Sequence, residues 1–312
     1  MNNYNLKSIR QQFKDNGVFY STDKIANILK SYVDIDTNEV YEPTCGDGAL
    51  LRVWNDDIVK YGQELNPQQL EIAINNLINF TGFCGNTLTN PNPEWRDKKF
   101  KCIVANYPFS IKWQPELISG DDERFNLCPV LPPQSKADYA FILHIIHSLD
   151  NDGIAVVLCF PGILYRGNAE GKIRKWIIEQ NYIEKVIRIP GNEFVDTKIE
   201  TVILVLKKNK TTTDITFIDH HTKEQITVGI DKIIKNDYNL SVSSYIIKEV
   251  IKEYIDPIAL QKQARDATIE QLKQDLRMDA MVCDFENFDF NEYLDKIQNL
   301  INDFRTYNKY KT

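Results

Sequence analysis

The feature that most constrains the fold is a regular alternation of short apolar segments with helical patterns. Strands are predicted at residues 39–41, 58–64, 100–105, 153–160, 184–189 and 201–207. Helices are predicted at residues 22–33, from Ala49 onward, and at 67–80, 137–149 and 169–180. Residues 153–160 are apolar almost throughout, as expected for a strand that is covered on both faces of a parallel sheet. The pattern predicts an α/β fold with a mostly parallel, doubly wound sheet, whose ligands bind beyond the carboxyl ends of the strands.

A glycine-containing turn follows the first predicted strand, with the sequence Glu42-Pro43-Thr44-Cys45-Gly46-Asp47-Gly48. It lacks the GxGxxG form of a dinucleotide-binding turn, and no GK[ST] follows to hold phosphates. Glu42, Asp47 and Glu64 form an anionic rim, which suits a cationic sulfonium ligand with a free amino group better than a phosphate. A carboxylate at the end of the second strand, such as Glu64, can accept both hydroxyls of a ribose. The alternative for Glu64 is a solvated strand end.

A third strand end is predicted at Gly85-Asn86-Thr87, where the Asn86 amide can read the edge of an adenine ring. The cofactor contacts predicted at these three strand ends are Glu42, Thr44, Cys45, Gly46, Asp47, Gly48, Glu64, Leu65, Asn86 and Thr87.

The next strand delivers Asn106-Tyr107-Pro108-Phe109 at its carboxyl end. The exocyclic amine of adenine is a poor nucleophile because its lone pair is delocalised into the ring. Two acceptors that bind both amino hydrogens favour a tetrahedral nitrogen, and the Asn106 side-chain oxygen and the Tyr107 carbonyl can serve as these acceptors. Phe109 offers a face for an extruded base, and Pro108 stiffens the loop. These four residues are the predicted catalytic set, with a structural turn around a buried Phe109 as the alternative.

Bulk properties narrow the class of protein further. The net charge of −7 indicates that, if the substrate is DNA, a second subunit helps to grip the phosphates. No apolar segment is long enough to span a membrane, and the first residues lack the apolar core of a signal peptide, so a cytoplasmic location is expected. The six cysteines include no CxxC pair, and His144 and His147 have no third ligand in sight, so no metal site is predicted.

The pattern becomes helical after about residue 245. Apolar residues recur at helical spacing at Ile246, Ile247, Val250, Ile251, Tyr254 and Ile255, then at Ile269, Leu272 and Leu276, and again at Leu294, Ile297, Leu300, Ile301 and Phe304. Three parts are therefore expected: a short N-terminal segment (1–16), a catalytic domain (17–245) and a helical tail (246–312). The tail either packs on the catalytic domain or docks a partner.

Taken together and in this order, these motifs resemble the modification (methyltransferase) subunit of type I restriction-modification systems, which are adenine-N6 DNA methyltransferases. The resemblance runs from Gly17 to Tyr245. It is carried by residues 17–22 (GVFYST), 42–48, 106–113 (NYPFSIKW), 131–141 (LPPQSKADYAF), 164–170 (LYRGNAE) and 194–201 (FVDTKIET).

The resemblance implies a Rossmann-like methyltransferase fold with S-adenosylmethionine as the methyl donor. It implies double-stranded DNA as the substrate, with an adenine flipped into the site. A separate specificity subunit would choose the DNA sequence, and a restriction (nuclease) subunit would be a further partner. The resemblance also assigns cofactor contacts to Phe19, Tyr20, Ser21 and Thr22.

The chain departs from the family pattern in a few places. Tyr107 replaces the first proline of the usual Asn-Pro-Pro-Phe/Tyr motif, Thr22 stands where proline is frequent, and Asn86 where aspartate is frequent. Only about sixteen residues precede the first motif, where family members usually carry a helical domain that helps to enclose DNA. This implies a reduced form of the enzyme or one that relies on other proteins.

Two other functions stay open. One is methylation of a glutamine side-chain amide in a protein, which uses a similar Asn-Pro-Pro-Tyr motif; residues 136–141 and 164–170 argue against it. The other is a cofactor-binding scaffold that docks a specificity subunit without methylating. The retained Glu42, Asp47, Glu64 and Asn106 argue for activity.

Overall fold

The computed structural model describes residues 22–191, 200–247, 256–286 and 289–309. The chain divides into two compact units, Met1–Lys248 and Glu249–Thr312. The described strands of the first unit are β1 (Glu39–Glu42), β2 (Val59–Glu64), β3 (Phe80–Cys84), β4 (Phe100–Asn106), β5 (Leu149–Cys159), β6 (Ile183–Ile189), β7 (Thr201–Leu206), β8 (Ile215–Asp219) and β9 (Gln225–Val228). Its described helices are α1 (Asp23–Ser31), α2 (Ala49–Arg52), α3 (Pro67–Asn76), α4 (Glu123–Asn126), α5 (Asp138–Ser148), α6 (Asn168–Glu179) and α7 (Ile230–Lys235).

The nine described strands form one sheet in the order β3-β2-β1-β4-β5-β7-β6-β8-β9. The first five strands in this order, β3, β2, β1, β4 and β5, are parallel to one another. Strand β7 runs antiparallel to both of its neighbours, β5 and β6, and β9 runs antiparallel to β8. The prediction of a mostly parallel, doubly wound sheet is confirmed. The strand order reverses between β1 and β4, and a crevice opens at such a switch point beyond the strand ends.

The centre of the sheet carries the core. Every residue of β7 is buried, as are the last seven residues of β5. Helix α1 packs its apolar face inward through Ile25, Ala26, Ile28 and Leu29. Thr22 caps this helix, because its hydroxyl oxygen accepts a hydrogen bond from the Ile25 amide over 3.4 Å.

The end of α3 differs from the sequence prediction. A helix was expected to continue to Phe80, whereas α3 ends at Asn76 and Phe80 begins β3. Asn79 adopts a left-handed backbone conformation (φ 57°), which asparagine tolerates better than most residues, and its carbonyl accepts from the Lys60 amide over 2.8 Å. The apolar spacing of Leu77 and Ile78 resembles a further helical turn, but pairing with β2 decides the structure.

The second unit consists of helices α8 (Pro257–Glu286) and α9 (Phe290–Lys309). The predicted helical patterns at 269–276 and 294–304 are confirmed, whereas residues 248–255 lie outside the described residues. Tyr293 of α9 donates a hydrogen bond to the Asp279 carboxylate of α8 over 2.8 Å. Several large apolar side chains of the unit are exposed, among them Leu272, Met278, Phe285 and Phe304. Neither these helices nor the others that the structure describes are long and apolar enough to cross a membrane.

Candidate active site

A cavity of about 1250 Å³ lies where β1, β2 and β4 end. The predicted site residues that line it are Glu42, Thr44, Cys45, Gly46, Asp47, Glu64, Leu65, Asn86, Thr87, Asn106, Tyr107 and Pro108. The two motifs that the sequence places at different strand ends therefore face one shared space. The cavity lining does not include Thr22, Gly48 or Phe109. Phe19, Tyr20 and Ser21 lie outside the described residues.

The glycine turn is shaped for close approach of a ligand. Gly46 has a positive φ of 52°, and a Cβ built on it would meet no atom within 4 Å, so the free space beside it belongs to the cavity. Gly48 has a different reason to be glycine. Its φ is 84°, and a Cβ there would lie 2.6 Å from the Leu77 side chain that packs under the turn. Gly48 thus serves the packing of the turn on the chain after α3.

Glu64 is held by two backbone amides at the end of β2. Gly46 donates to its Oε2 over 2.9 Å, and Asn66 donates to its Oε1 over 2.8 Å. An ionised carboxylate oxygen has more than one acceptor position, so each oxygen can also accept from a ribose hydroxyl. The arrangement fixes the direction of the carboxylate and leaves it able to bind a sugar.

Glu42 is the most unusual group in the cavity wall. It is only 2 % exposed, and its Oε2 has no hydrogen-bond partner among the described residues. Burial raises the pKa of Glu42 well above its usual value, and the nearby Glu64 and Asp47 carboxylates raise it further. A buried carboxyl with a free acceptor needs a donor or a cation. The free ammonium of a sulfonium cofactor satisfies this need, so the residues present fit that ligand.

The third strand end is shaped by its own backbone. The Asn86 side-chain oxygen accepts from the Leu88 and Thr89 amides over 2.9 and 3.3 Å. The Thr87 hydroxyl donates to the Pro43 carbonyl, which ties this loop to the glycine turn. Because the Asn86 oxygen is engaged in the loop, its amide NH₂ is the group that remains to contact a base edge.

Arg124, which the sequence analysis did not single out, holds the loop of Thr87 and Leu88 that lines the cavity. Its guanidinium donates to the Thr87 and Leu88 carbonyls over 2.7 and 2.8 Å and pairs with the Asp122 carboxylate over 2.6 Å. No motif marks this arginine in the sequence, because its partners are backbone carbonyls distant along the chain. Its role follows only from the folded contacts.

The Arg124 guanidinium also contacts the Nδ1 atom of His144 over 3.2 Å. Arginine can only donate, so Nδ1 accepts and the His144 Nε2–H donates to the Tyr41 hydroxyl over 3.1 Å. Burial and the neighbouring Arg124 lower the pKa of His144 well below its usual value. His147 contacts Lys99 and Glu123 instead. In the ranges that the structure describes, no cluster of His, Cys, Asp or Glu could hold a metal ion.

The predicted catalytic motif begins at the last residue of β4, Asn106, whose carbonyl accepts from the Thr44 hydroxyl over 3.4 Å. The Tyr107 side chain is 1 % exposed and stacks on Phe141, with ring centroids 5.0 Å apart and planes 13° from parallel. The Phe109 ring is perpendicular to the Tyr107 ring, with the two ring centroids 5.7 Å apart. The tyrosine that replaces the usual proline is therefore anchored by aromatic packing, which holds the loop.

Phe109 is 8 % exposed and packs inside the protein. The aromatic residues that line the cavity are Tyr107, Trp113 and Phe141. The Trp113 indole donates to the Pro133 carbonyl over 3.1 Å, and its amide donates to the Gln134 carbonyl over 3.0 Å. Sequence reasoning did not single out Trp113 or Gln134, although both lie in stretches that resemble the family. Their place in those stretches was the signal that could have found them.

The loops after β4 and before α5 add polar side chains to the cavity lining. They are Lys112, Gln114, Glu116, Gln134 and Ser135. These side chains come from the loop after β4 and the loop before α5, which are joined where the Ala137 amide donates to the Ile111 carbonyl over 2.8 Å. The cavity thus has an acidic wall at β1 and β2 and a mixed polar and aromatic wall beyond β4.

The family model described as N-6 DNA Methylase matches residues 3–227. The chain belongs to the N-6 DNA methylase family. The resemblance found in the motifs is thereby confirmed, and the cavity described above lies within the matched region.

Relatives of this family member carry type I restriction names. The chain is 33 % identical to the type I restriction enzyme MpnII methylase subunit of Mycoplasma pneumoniae, over 89 % of the chain and 62 % of the relative. It is 28 % identical to the HindI methylase subunit of Haemophilus influenzae, over 72 % of the chain and 53 % of that protein. The chain thus spans between half and two thirds of the length of these relatives.

A crystal structure supports the same fold. The type I restriction-modification methyltransferase subunit from Streptococcus thermophilus superposes with a TM-score of 0.65 at 29 % identity, covering 76 % of this chain and 61 % of that one. The predicted methyltransferase fold is confirmed.

Proposed function

We propose that the chain is the catalytic part of a DNA adenine-N6 methyltransferase. S-adenosylmethionine would be the donor, and an adenine flipped out of double-stranded DNA would be the acceptor. The observation that carries this proposal is that Glu42, Gly46 and Glu64 line the same cavity as Asn106. Family membership supports it, and the relatives' names point to the same reaction.

The acidic wall would hold the cofactor. Glu42 offers a buried, unpartnered oxygen to the ammonium group, and Glu64 offers two oriented oxygens to the ribose. Asn86 and Thr87, which line the cavity at the end of β3, would border the adenine ring of the cofactor. S-adenosylmethionine supplies an electrophilic methyl group there. The turn around Gly46 contributes a close backbone surface without a side chain in the way.

The catalytic loop would bind the acceptor base. The Asn106 side-chain oxygen and the Tyr107 carbonyl accept the two hydrogens of the adenine amine, which localises the nitrogen lone pair for attack. The cofactor would supply the methyl group to the base nitrogen, and the electron pair of the broken sulfur–carbon bond would stay with the sulfur. The amine proton becomes acidic after transfer and leaves to solvent, so no strong base is required. Trp113 and Phe141 offer apolar surface beside the base.

A genome-wide map of N6-methyladenine tests the reaction. The source strain is compared with strains that carry Asn106→Ala or, as a matched control, Asn126→Ala at an exposed position of helix α4. We expect methylation at one split recognition sequence to disappear with Asn106→Ala and to persist with Asn126→Ala. An unchanged map, with the chain expressed, would refute the proposal and favour the scaffold or the glutamine methyltransferase.

A specificity subunit would choose the DNA sequence, and a nuclease subunit would join the assembly in restriction. The net charge of −7 supports such a division of labour, because a chain that grips DNA alone usually carries a basic face. The same role would place the chain in the cytoplasm with the genome, as predicted from the sequence.

The helical tail is the docking element in this proposal. Leu272 and Phe285 are 56 % and 91 % exposed, and apolar side chains so exposed on long helices are typical of helix–helix interfaces. We expect the double variant Leu272→Glu/Phe285→Glu to abolish co-elution of the chain with the specificity subunit on gel filtration. Gln271→Glu, an exposed polar neighbour, is the control. A complex that survives the double variant would contradict docking through this tail.

A further inference from the structure

The residue directly after the catalytic motif, Ser110, has a left-handed backbone conformation with φ 54°. A residue with a side chain rarely adopts this conformation, and it persists only where the surroundings hold it. Ser110 lies one residue beyond Phe109, on the segment that carries Asn106 and the Tyr107 carbonyl. Whatever holds Ser110 in this conformation also sets the path of that segment.

The group that holds it is the Asp138 carboxylate at the start of α5. Its Oδ2 accepts a hydrogen bond from the Ser110 amide over 3.1 Å, and the residue is fully buried. Arg166 closes the arrangement from the other side: its guanidinium donates to the Ser110 hydroxyl over 3.4 Å and pairs with Glu170 over 3.4 Å. None of Asp138, Arg166 and Glu170 lines the cavity.

We propose that Asp138 is a positioning residue for methyl transfer, acting through the Ser110 amide to fix the loop that presents Asn106 and Tyr107 to the acceptor base. This inference rests on the proposed function. A carboxylate is suited to the task because its bond to a backbone amide is stronger and more directional than a contact between neutral groups. Small displacements of groups that orient a reacting atom have large effects on rate.

A role in stability alone explains the arrangement less well. The second oxygen, Asp138 Oδ1, has no hydrogen-bond partner among the described residues. Burying a carboxyl with an unmet acceptor is costly, and an apolar side chain would fill the same volume without that cost. The bond to Ser110 therefore accounts for the carboxyl at this position.

The test compares Asp138→Ala with Asp219→Ala. Asp219 is the control, since it is also buried and also accepts hydrogen bonds from backbone amides, in its case those of His221 and Thr222. Its carboxylate pairs with Arg188 as well. We expect Asp138→Ala to lower kcat by about 10- to 100-fold while the Kd for S-adenosylmethionine stays within about twofold. We also expect hydrogen exchange in the peptide covering 106–113 to speed up. Asp219→Ala should change neither reading.

Glycine supplies the rescue. It adopts a positive φ without strain, so Ser110→Gly added to Asp138→Ala should recover part of the lost kcat. Asp138→Asn, which keeps an acceptor oxygen, should fall between the wild type and Asp138→Ala, and it carries the comparison if the alanine variant does not fold. A stable Asp138 variant with wild-type kcat and wild-type exchange at 106–113 would overturn the proposal.

The two proposals fail in distinguishable ways. If the wild-type protein in its complex binds the cofactor but methylates no DNA, the proposed function fails. The exchange readings on Asp138→Ala and Asp219→Ala still decide whether Asp138 holds the loop. If the wild type methylates and the two variants lose kcat equally, the positioning role fails while the proposed function stands.

Discussion

The Gly46 amide and the Glu64 carboxylate are joined by a hydrogen bond of 2.9 Å. This bond links the turn after β1 to the end of β2, so in the proposed function the Glu64 side chain both shapes the turn and accepts hydrogen bonds from the ribose. Replacing Glu64 should therefore disturb both the turn and the binding of the cofactor.

We therefore expect Glu64→Ala to weaken S-adenosylmethionine binding by about 10- to 100-fold, because hydrogen bonds to a charged group are lost both from the ligand and from the turn. Isothermal titration calorimetry measures this directly. Glu71→Ala, on the exposed side of α3, removes a nearby carboxylate without touching the cavity and should leave the Kd unchanged. Equal affinities of the Glu64→Ala variant and the wild type would contradict the assigned ribose contact.

Glu42→Gln should increase stability and decrease affinity at the same time. The raised pKa of the buried Glu42 means that the folded protein keeps a proton that the unfolded chain loses above about pH 4.3. The free energy of unfolding of the wild type therefore falls as pH rises from there towards the raised pKa, and the glutamine variant lacks that fall. Cofactor binding should weaken because the ammonium loses its anionic partner.

Urea unfolding at about pH 5 and about pH 8 measures the stability difference, which should grow with pH. Glu39→Gln provides the contrast. The Glu39 carboxylate already pairs with Lys98 over 2.8 Å and accepts the Lys101 amide, so its replacement should lower stability. A Glu42→Gln variant that is less stable than the wild type at the higher pH would show that the carboxyl is satisfied in the folded protein.

Tyr107→Phe should raise the free energy of unfolding by up to about 1 kcal/mol, because the buried hydroxyl faces the Cys159 thiol, a weak hydrogen-bonding group that satisfies it poorly. Tyr107→Ala should lower it by about 3 to 5 kcal/mol through loss of the stack on Phe141. Tyr139→Phe is the opposite case, since its hydroxyl donates to the Ile163 carbonyl over 2.8 Å and its removal should destabilise. Chemical denaturation measures the free energy of unfolding of the three variants. A Tyr139→Phe variant that is more stable than the wild type would argue against this account.

The buried His144 should make the protein sensitive to acid. Its pKa is lowered by burial and by Arg124, so below about pH 6.5 the unfolded chain takes up a proton that the folded protein refuses. This group contributes a loss of stability of up to about 1.4 kcal/mol per pH unit as pH falls. His144→Asn should flatten the profile, and His221→Asn on an exposed turn should not. Parallel profiles for the wild type and His144→Asn would rule out this origin.

Much of the fold could be predicted from the sequence because its strongest signals are local. Strand β5 is a nearly continuous apolar run, and the glycine turn stands where a strand meets a helix. The reversal of strand order between β1 and β4 follows from the general rules of such sheets. The strand at 201–207 is predicted, but its antiparallel direction is not, since strand direction depends on pairing between distant segments. The hairpin of β8 and β9 is not predicted either.

Site residues that belong to a sequence motif could be predicted, whereas residues that act through contacts with distant parts of the chain could not. Glu42, Glu64 and Asn106 sit at strand ends, so their meeting follows from the sheet. Arg124 acts through the carbonyls of Thr87 and Leu88, more than thirty residues away along the chain, and no local pattern encodes that contact. The inward position of Phe109 likewise depends on the Tyr107 ring beside it.

The stack of Tyr107 on Phe141 bears on how relatives of this chain are recognised. A search pattern that demands proline after the asparagine of this motif rejects a chain that has tyrosine there. In this chain the buried Tyr107 ring stacks on Phe141, and this packing restricts the loop as proline does through its fixed φ. A pattern that accepts Asn-x-Pro-Phe, with an apolar or aromatic residue at x and an aromatic partner at the 141 position, would retain this chain. Sequence logos built on prolines alone would discard it.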